Sequence, residues 1–407
     1  MRFAKLIPTL GVVGIVAMAC GGGTTATSSP SATIPASLTV SSFDVSFSAM
    51  ATLKDLHAAG SGLVGVLMPD TTSSTRWVNS DLPYLTKAFQ MAGYSASEFK
   101  IDNAQGNDAT ELAQAQADIT QGAKVLVMAP NDSTVGTQIQ ALAASKGVKL
   151  ISYDRATFTG TNTYYVSFDN VQVGKLIGQG FKDCLTAWNV TNPKVFTLNG
   201  GEDTDPNAID FAKGYNSVVW GDSVPQETVG KTANGATLVG DQVAPAWDNS
   251  KGQTIFQQQY TAHPEINATI EANDGLANAV VTVLKQKGVP ANKIPTVGQD
   301  ASLGGIQNVL QGYQCGTVYK AIYLEAQDAV ALATILRAGL TPPTALVNST
   351  TSPAAGKPGN TQPASLLVPL WVDKTKVAST VVKDGFVDKA ALCTAVTQAV
   401  CTANGIT

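Results

Sequence analysis

Histidine is nearly missing from this chain: His57 and His263 are the only two in 407 residues. A Ser-His-Asp triad and His-based zinc or iron sites need imidazole as base or ligand, so both classes lack material, and neither a metal nor another cofactor is expected. Charge is also scarce, at 14% of residues, with Lys+Arg 26 against Asp+Glu 30 and a formal net charge of -4. Binding DNA or RNA requires clustered Lys and Arg to neutralise phosphates, and no such cluster occurs, so nucleic acid is not an expected partner. Beyond the first twenty residues no apolar run is long enough to span a bilayer. A transport role would therefore need a separate membrane partner.

What is present begins at the N-terminus. Arg2 and Lys5 precede an apolar run over 6–18, and Ala17, Met18 and Ala19 lead into Cys20. The run is too short to span a bilayer as a stable helix and predicts an export signal over 1–20. A Cys after small residues at this place resembles the bacterial lipoprotein signal, in which Cys20 is lipidated and becomes the new N-terminus; Ala17 stands where that pattern usually carries Leu. The alternatives are an ordinary cleaved signal and a buried helix. The Gly, Thr, Ser, Ala and Pro that follow cannot bury enough apolar surface to fold, which predicts a flexible tether over 21–40. Together these features predict an extracytoplasmic body anchored to the membrane.

Four cysteines remain after Cys20. Cys393 and Cys401 are the expected bridge, and a straight helix would hold them too far apart, so the pairing predicts a break near Ala399. Cys184 and Cys315 are either a second pair or two buried free thiols.

With 44% hydrophobic residues the chain exceeds the usual size of one domain, and two similar lobes are expected. From residue 63 onward, short β-branched runs alternate with longer amphipathic segments. Strands are predicted at 63–68, 99–103, 125–129, 149–153, 194–198, 227–229, 268–271, 296–298 and 317–319. Helical segments are predicted to fill the gaps, among them 82–92, 108–121, 134–146, 171–185, 207–220, 276–287 and 323–337. The fold class is α/β: two doubly wound parallel-sheet lobes joined by a multi-strand hinge. The first lobe takes 62–167 plus 320–346, the second 168–318 plus 347–392, and 393–407 forms a C-terminal tail. Chains that cross between lobes more than once form a hinge, and closure around a ligand follows. A stretch rich in Ser and Thr with Pro353, Gly356, Pro358 and Gly359 predicts a loop or disordered insertion.

Ligands of open α/β sheets bind beyond the carboxyl ends of the strands. The polar residues there are Asp70, Thr75, Arg76 and Trp77, then Asn131 and Asp132, then Asp154 and Arg155. The second lobe supplies Asp203, Asp205 and Asn207, then Asn273 and Asp274, then Gln299 and Asp300, and finally Lys320, with Trp247 in a Pro-Ala-Trp-Asp loop. Each alone reads as readily as a helix cap or a surface ion pair. As a set they match sugar chemistry: each hydroxyl donates and accepts, so carboxylates accept from it while Arg, Lys and Asn donate. Indoles cover the apolar ring faces, and Trp77 and Trp247 are the candidates, whereas Trp188, Trp220 and Trp371 read as core.

Several stretches carry a family resemblance: Thr75-Arg76-Trp77, residues 151–155 and 166–170, Ala272-Asn273-Asp274, residues 298–301 and residues 317–320. In order and spacing the body resembles the periplasmic sugar-binding proteins of ATP-driven importers, of the ribose and xylose type and most similar to the D-xylose branch. That resemblance implies the type I periplasmic binding protein fold and a monomer that delivers a monosaccharide to permease and ATPase subunits. It also implies a pentose held by Arg76, Arg155, Asn207, Asn273, Asp300 and Lys320, with Trp247 stacked on the ring and Trp77 and Asp154 beside it. The N-terminal tether, residues 41–60 and the Cys-bearing C-terminus fall outside the resemblance.

Two other readings remain. A glycoside hydrolase could use Asp154, Asp274 and Asp300, but it needs a carboxyl held protonated, and Arg76, Arg155 and Lys320 are expected to keep their neighbours ionised. A sugar sensor for a chemoreceptor or sensor kinase uses the same fold and the same residues. Asp203, Asp205 and Asn207 mimic the start of a calcium loop, yet Ala208 and Gly214 stand where Gly and a bidentate Glu are required. Gly21 to Gly23 lack the strand and the Lys-Ser/Thr of a phosphate loop.

Overall fold

The computed structural model describes residues 32–159, 163–202, 205–353 and 359–407. The predicted signal, Cys20, the tether up to residue 31, Asp203 and most of the Pro/Gly stretch around 356 lie outside the described residues.

The first lobe starts with α1 (Lys54–Ala59) and continues β1 (Leu63–Met68), α2 (Leu82–Met91), β2 (Phe99–Asn103), α3 (Asp108–Thr120), β3 (Ala123–Met128), α4 (Ser133–Ser145), β4 (Lys149–Tyr153) and β5 (Thr163–Phe168). Strands β1, β3, β4 and β5 are short, largely apolar runs buried on both faces, as a parallel sheet covered by helices requires, while the edge strand β2 is half-buried throughout. Helices begin where a short polar side chain meets their first free N–H groups: Asn107 accepts from Thr110 N, and Asp132 from Thr134 N and Val135 N.

The second lobe runs α5 (Asn170–Ala187), β6 (Lys194–Gly200), α6 (Pro206–Val219), β7 (Thr232–Ala233), β8 (Ala236–Ala244), α7 (Asn249–Ala262), β9 (Ala268–Glu271), α8 (Asp274–Gln286), α9 (Leu303–Gln311) and β10 (Gly316–Tyr319). The remainder is α10 (Ile322–Arg337), β11 (Ser349–Thr351), β12 (Gln362–Leu367), β13 (Leu370–Asp373), α11 (Lys389–Val396) and α12 (Gln398–Ala403).

The first sheet has the order β11-β12-β5-β4-β3-β1-β2, parallel except for β11 against β12. The second lobe has β7-β8-β6-β9, and β10 pairs with β13. Residues 295–299 join these two ladders, with Thr269 N–H donating to Pro295 O on one side and Val318 N–H to Gly298 O on the other. The expected strand at 296–298 is thus an extended connection that forms one bridge, Gln299 with Val318. The chain passes between lobes at 168–170, 319–322 and 367–370, so both lobes are doubly wound around a three-segment hinge.

Three sequence expectations need correction. The strand placed at 227–229 is irregular; the real one is β8, reached through a hairpin whose Asn234 and Gly235 both take positive φ, 54° and 79°. Such a two-residue Asn-Gly turn is the strongest short hairpin signal, and it lay unused in the sequence. Residues 347–392 do not all join the second lobe, because β12 pairs in parallel with β5 and extends the first sheet. The tether cannot reach residue 40: Leu38 is buried in the first-lobe core and Val40 N–H donates to Ala345 O. Residues 41–60, which fall outside the resemblance, pack on that core through Phe43, Phe47, Met50, Leu53 and Leu56.

Disulfides join Cys393 to Cys401, with Cα atoms 5.7 Å apart, and Cys184 to Cys315, with Cα atoms 6.0 Å apart. The first spans a break between α11 and α12 at Thr397, φ 83°, two residues before the expected place. The second ties α5 to the entry of β10 inside one lobe.

Candidate functional site

All nine residues singled out for sugar binding line one cavity between the lobes, about 30 Å³ in this conformation: Arg76, Trp77, Asp154, Arg155, Asn207, Trp247, Asn273, Asp300 and Lys320. The fold brings them there because each follows a strand end or opens the next helix. Ser73, Ser74, Asp205, Phe211 and Gln299 complete the wall.

Arg76 is the most constrained. Its Nε donates to Asp81 Oδ2 at 2.9 Å, and Nη2 donates to Asp81 Oδ1 at 2.8 Å and Glu325 Oε2 at 2.7 Å. Nη1 donates to Asp154 Oδ1 at 2.5 Å. A guanidinium has five N–H groups, so four are committed and a single Nη1–H is left for a ligand. Burial opposes the charge on Arg76, but Asp154, Asp81 and Glu325 overcome it and raise its affinity for the proton well above the usual.

Asp154 joins the lobes. Besides Arg76, it accepts from Asn207 Nδ2 at 3.1 Å and lies 3.6 Å from Lys320 Nζ. Burial works against its charge, yet Arg76, Lys320 and Arg155 hold its carboxyl below the usual range. Asn207 Oδ1 accepts from Asn170 Nδ2 at 2.9 Å, which fixes the amide and turns its Nδ2 toward the cavity wall. Asp300 lies 3.3 Å from Lys320 Nζ and accepts from Ser74 Oγ at 3.3 Å, a second bond across the cleft. Burial pushes Asp300 up despite Lys320 and Arg76. The cations thus prevail over burial at Asp154, whereas at Asp300 burial outweighs them.

Asn273 has two duties. Its Oδ1 caps α8 by accepting from Leu276 N at 2.8 Å, leaving its NH₂ as donors at the cavity. Asp132 caps α4 and lies outside this cavity; Asp205 caps α6 and also accepts from Trp247 Nε1 at 2.8 Å. That bond locks the indole over Gly200 and Gly201, where added Cβ atoms would strike the ring. Trp77 lies below two guanidinium groups, with Arg76 Cζ 4.7 Å and Arg155 Cζ 5.3 Å from its centroid. It serves as a platform for the arginines rather than as an open stacking face. Arg155 in turn donates to Pro130 O at 3.0 Å, Asn131 O at 3.2 Å and Ser73 Oγ at 3.3 Å.

Sequence reasoning missed Phe211, which lies four residues after Asn207 on the same face of α6 and 6.3 Å from the Trp247 ring. It also missed the layer behind Arg76: Asp81, Tyr153 and Glu325. Tyr153 donates to Asp81 Oδ1 at 2.6 Å, and burial raises Glu325 to about 8. Glu325 is buried on α10 together with Gln327 and Asp328, and a buried carboxyl there signals a partner.

Residues 64–340 match the family model described as periplasmic binding protein domain. The chain belongs to the periplasmic binding protein family. Among its relatives are the multiple sugar-binding periplasmic protein of Azospirillum brasilense, 33% identical over 80% of this chain and 90% of that protein. The D-xylose-binding periplasmic protein of Escherichia coli is 32% identical over 70% of this chain and 80% of its own length. A solved solute-binding protein of an ABC transporter from Clostridium phytofermentans, with bound β-D-glucose, is 26% identical, with a TM-score of 0.68 over 81% of this chain and 99% of that one. The family match ends before β11.

Proposed function

We propose that this protein binds a neutral monosaccharide, D-xylose first among them, and delivers it to the permease and ATPase subunits of an importer. The observation that carries the reading is the convergence itself: nine polar and indole side chains from both lobes and the hinge face one space. Their cations are already balanced. Arg76 serves three carboxylates and Lys320 two. A sugar hydroxyl fits a site of this kind, donating to Asp300 or Asp154 while accepting from Arg76, Asn207, Asn273 or Lys320. An anionic ligand would meet unneutralised carboxylates. Xylose comes first because of the relatives named for it and the match of Arg76, Arg155, Asn207, Asn273, Asp300 and Lys320 to that branch.

Closure follows a population shift, with the sugar stabilising the joined lobes. Trp247 covers one apolar face of the ring, and Phe211 backs it. The lipid anchor at Cys20, the export signal before it and a monomeric body complete the proposal, on the sequence alone. Titrating D-xylose, L-arabinose, D-glucose and D-ribose into the body while following tryptophan fluorescence tests binding and selectivity together. Saturable binding of a pentose or hexose supports the reading; no response to any of them ends it. Cys20→Ala, followed by membrane fractionation, tests the anchor separately: the variant should leave the membrane fraction.

A further inference from the structure

Beside the enclosed cavity the cleft opens into a groove of about 1010 Å³. The two spaces share Ser73, Arg155, Asp205 and Trp247 as walls, so a ligand in one reaches the other past the indole. The groove persists in a conformation where the lobes are already joined, by Asn207 to Asp154 and Ser74 to Asp300. A group protruding from the sugar site past Trp247 therefore enters space that joined lobes leave open. The cleft's other opening, about 660 Å³, meets the sugar cavity at Ser74, Arg76, Asn273 and Asp300 and has no indole at that junction.

We propose that this groove is a second carbohydrate subsite, so that the ligand class extends from free monosaccharides to neutral disaccharides and glycosides. This rests on the monosaccharide reading of the inner cavity. The groove's size lies at the upper end of the ~300–1,000 Å³ of small-molecule pockets, and its wall matches a hydroxylated guest. Thr72, Asn107, Asn131 and Asn249 offer hydroxyl and amide groups, and Trp247 offers an indole at the junction. The charge selects further. Asp70, Asp108, Asp132, Glu202, Asp205 and Asp248 line the groove, and Arg155 is the one cation among the described lining residues. Most of these carboxylates also accept backbone N–H groups, as Asp70 does from Thr72 and Ser73, and Asp248 from Ser250 and Lys251. They are fixed acceptors that suit sugar hydroxyls and repel a uronic acid unit.

Calorimetry tests this with two pairs, D-xylose with β-1,4-xylobiose and D-glucose with cellobiose, on the wild type and on two variants that fill the groove. Thr72 and Ala109 are exposed groove residues, so Thr72→Trp and Ala109→Trp reduce the space without touching the inner cavity. The disaccharide of the preferred sugar should bind within about tenfold of its monomer. Each variant should weaken the disaccharide by about tenfold or more and the monosaccharide by less than about threefold. An aldobiouronic acid should bind more weakly than the neutral disaccharide. Monosaccharide binding with no disaccharide heat, or equal losses for both ligands in the variants, overturns the subsite and leaves the monosaccharide reading intact. Silence from every sugar overturns both.

Discussion

Asn207 at the start of α6 donates its Nδ2 to Asp154 Oδ2 at the end of β4, 3.1 Å away across the cleft. The same carboxylate holds Arg76 through its other oxygen. One side chain therefore links the cation of the first lobe to the amide of the second, and whatever moves the lobes must stretch or reform this pair.

Asp300→Ala and Arg155→Ala each remove a polar partner from a buried cavity without removing core volume. Each should weaken sugar binding by about 2–5 kcal/mol, because a charged or hydrogen-bonding partner is left unsatisfied. Calorimetry gives the affinity, and an unchanged melting temperature separates this loss from unfolding. Wild-type affinity in both variants would place the site elsewhere.

Arg76 behaves differently. Three buried carboxylates depend on it, those of Asp81, Asp154 and Glu325. Arg76→Ala should cost about 3–5 kcal/mol of folding stability in addition to binding, since it strands buried charge. A denaturant melt checks this, and Arg76→Lys should recover part of the loss but not the bidentate grip on Asp81.

How much of this was legible in the sequence follows from how each residue acts. Residues that project from strand ends in a regular α/β pattern could be read: Arg76, Asp154, Asn273, Asp300 and Lys320 all face the cavity because strand polarity puts them there. Phe211 escaped because its place depends on helix phase, and Glu325 because its partner is 249 residues away in the chain. The same limit applied to β12: nothing local to residues 362–367 says that β5 is its neighbour. α7 lies in a gap that the alternating pattern gives to a helix, although its own sequence marks it weakly, with only Gly252 and Phe256 buried. The Asn234-Gly235 turn was readable and outweighed by the β-branched residues just before it.

The position of Trp247 depends on two glycines. At Gly200 an added methyl group would run into the indole. Gly200→Ala should displace the ring and weaken sugar binding by about 1–3 kcal/mol while leaving the fold in place. Intrinsic fluorescence should shift in the sugar-free protein, and a wild-type spectrum with wild-type affinity would contradict the placement.

Stability should depend on pH in an unusual sense. Burial raises Glu111, Glu271 and Glu325 to about 8, and Asp274 and Asp328 to about 7. For such groups the folded state binds more protons than the unfolded chain between the ordinary carboxyl range and those values, so stability falls as pH rises through that window. The opposite sign applies to Glu98, which burial would raise but hydrogen bonds from Ser95 and His57 lower to about 2, and to Asp154, also lowered; their contribution is lost as pH falls below the ordinary carboxyl range. The melting temperature should peak near pH ~5 and decline toward pH ~8. A flat profile or a maximum above neutrality would contradict it.

Heat of binding measured by calorimetry on the body from residue 32, against D-xylose, L-arabinose, D-glucose, D-ribose and D-glucuronate, tests the central claim most directly. Saturable one-to-one binding of at least one neutral sugar, with none for glucuronate and a marked loss on Asp300→Ala, is the predicted result. Absence of heat with every neutral sugar, or tightest binding of the anionic one, would contradict a cleft built to clamp an uncharged polyol.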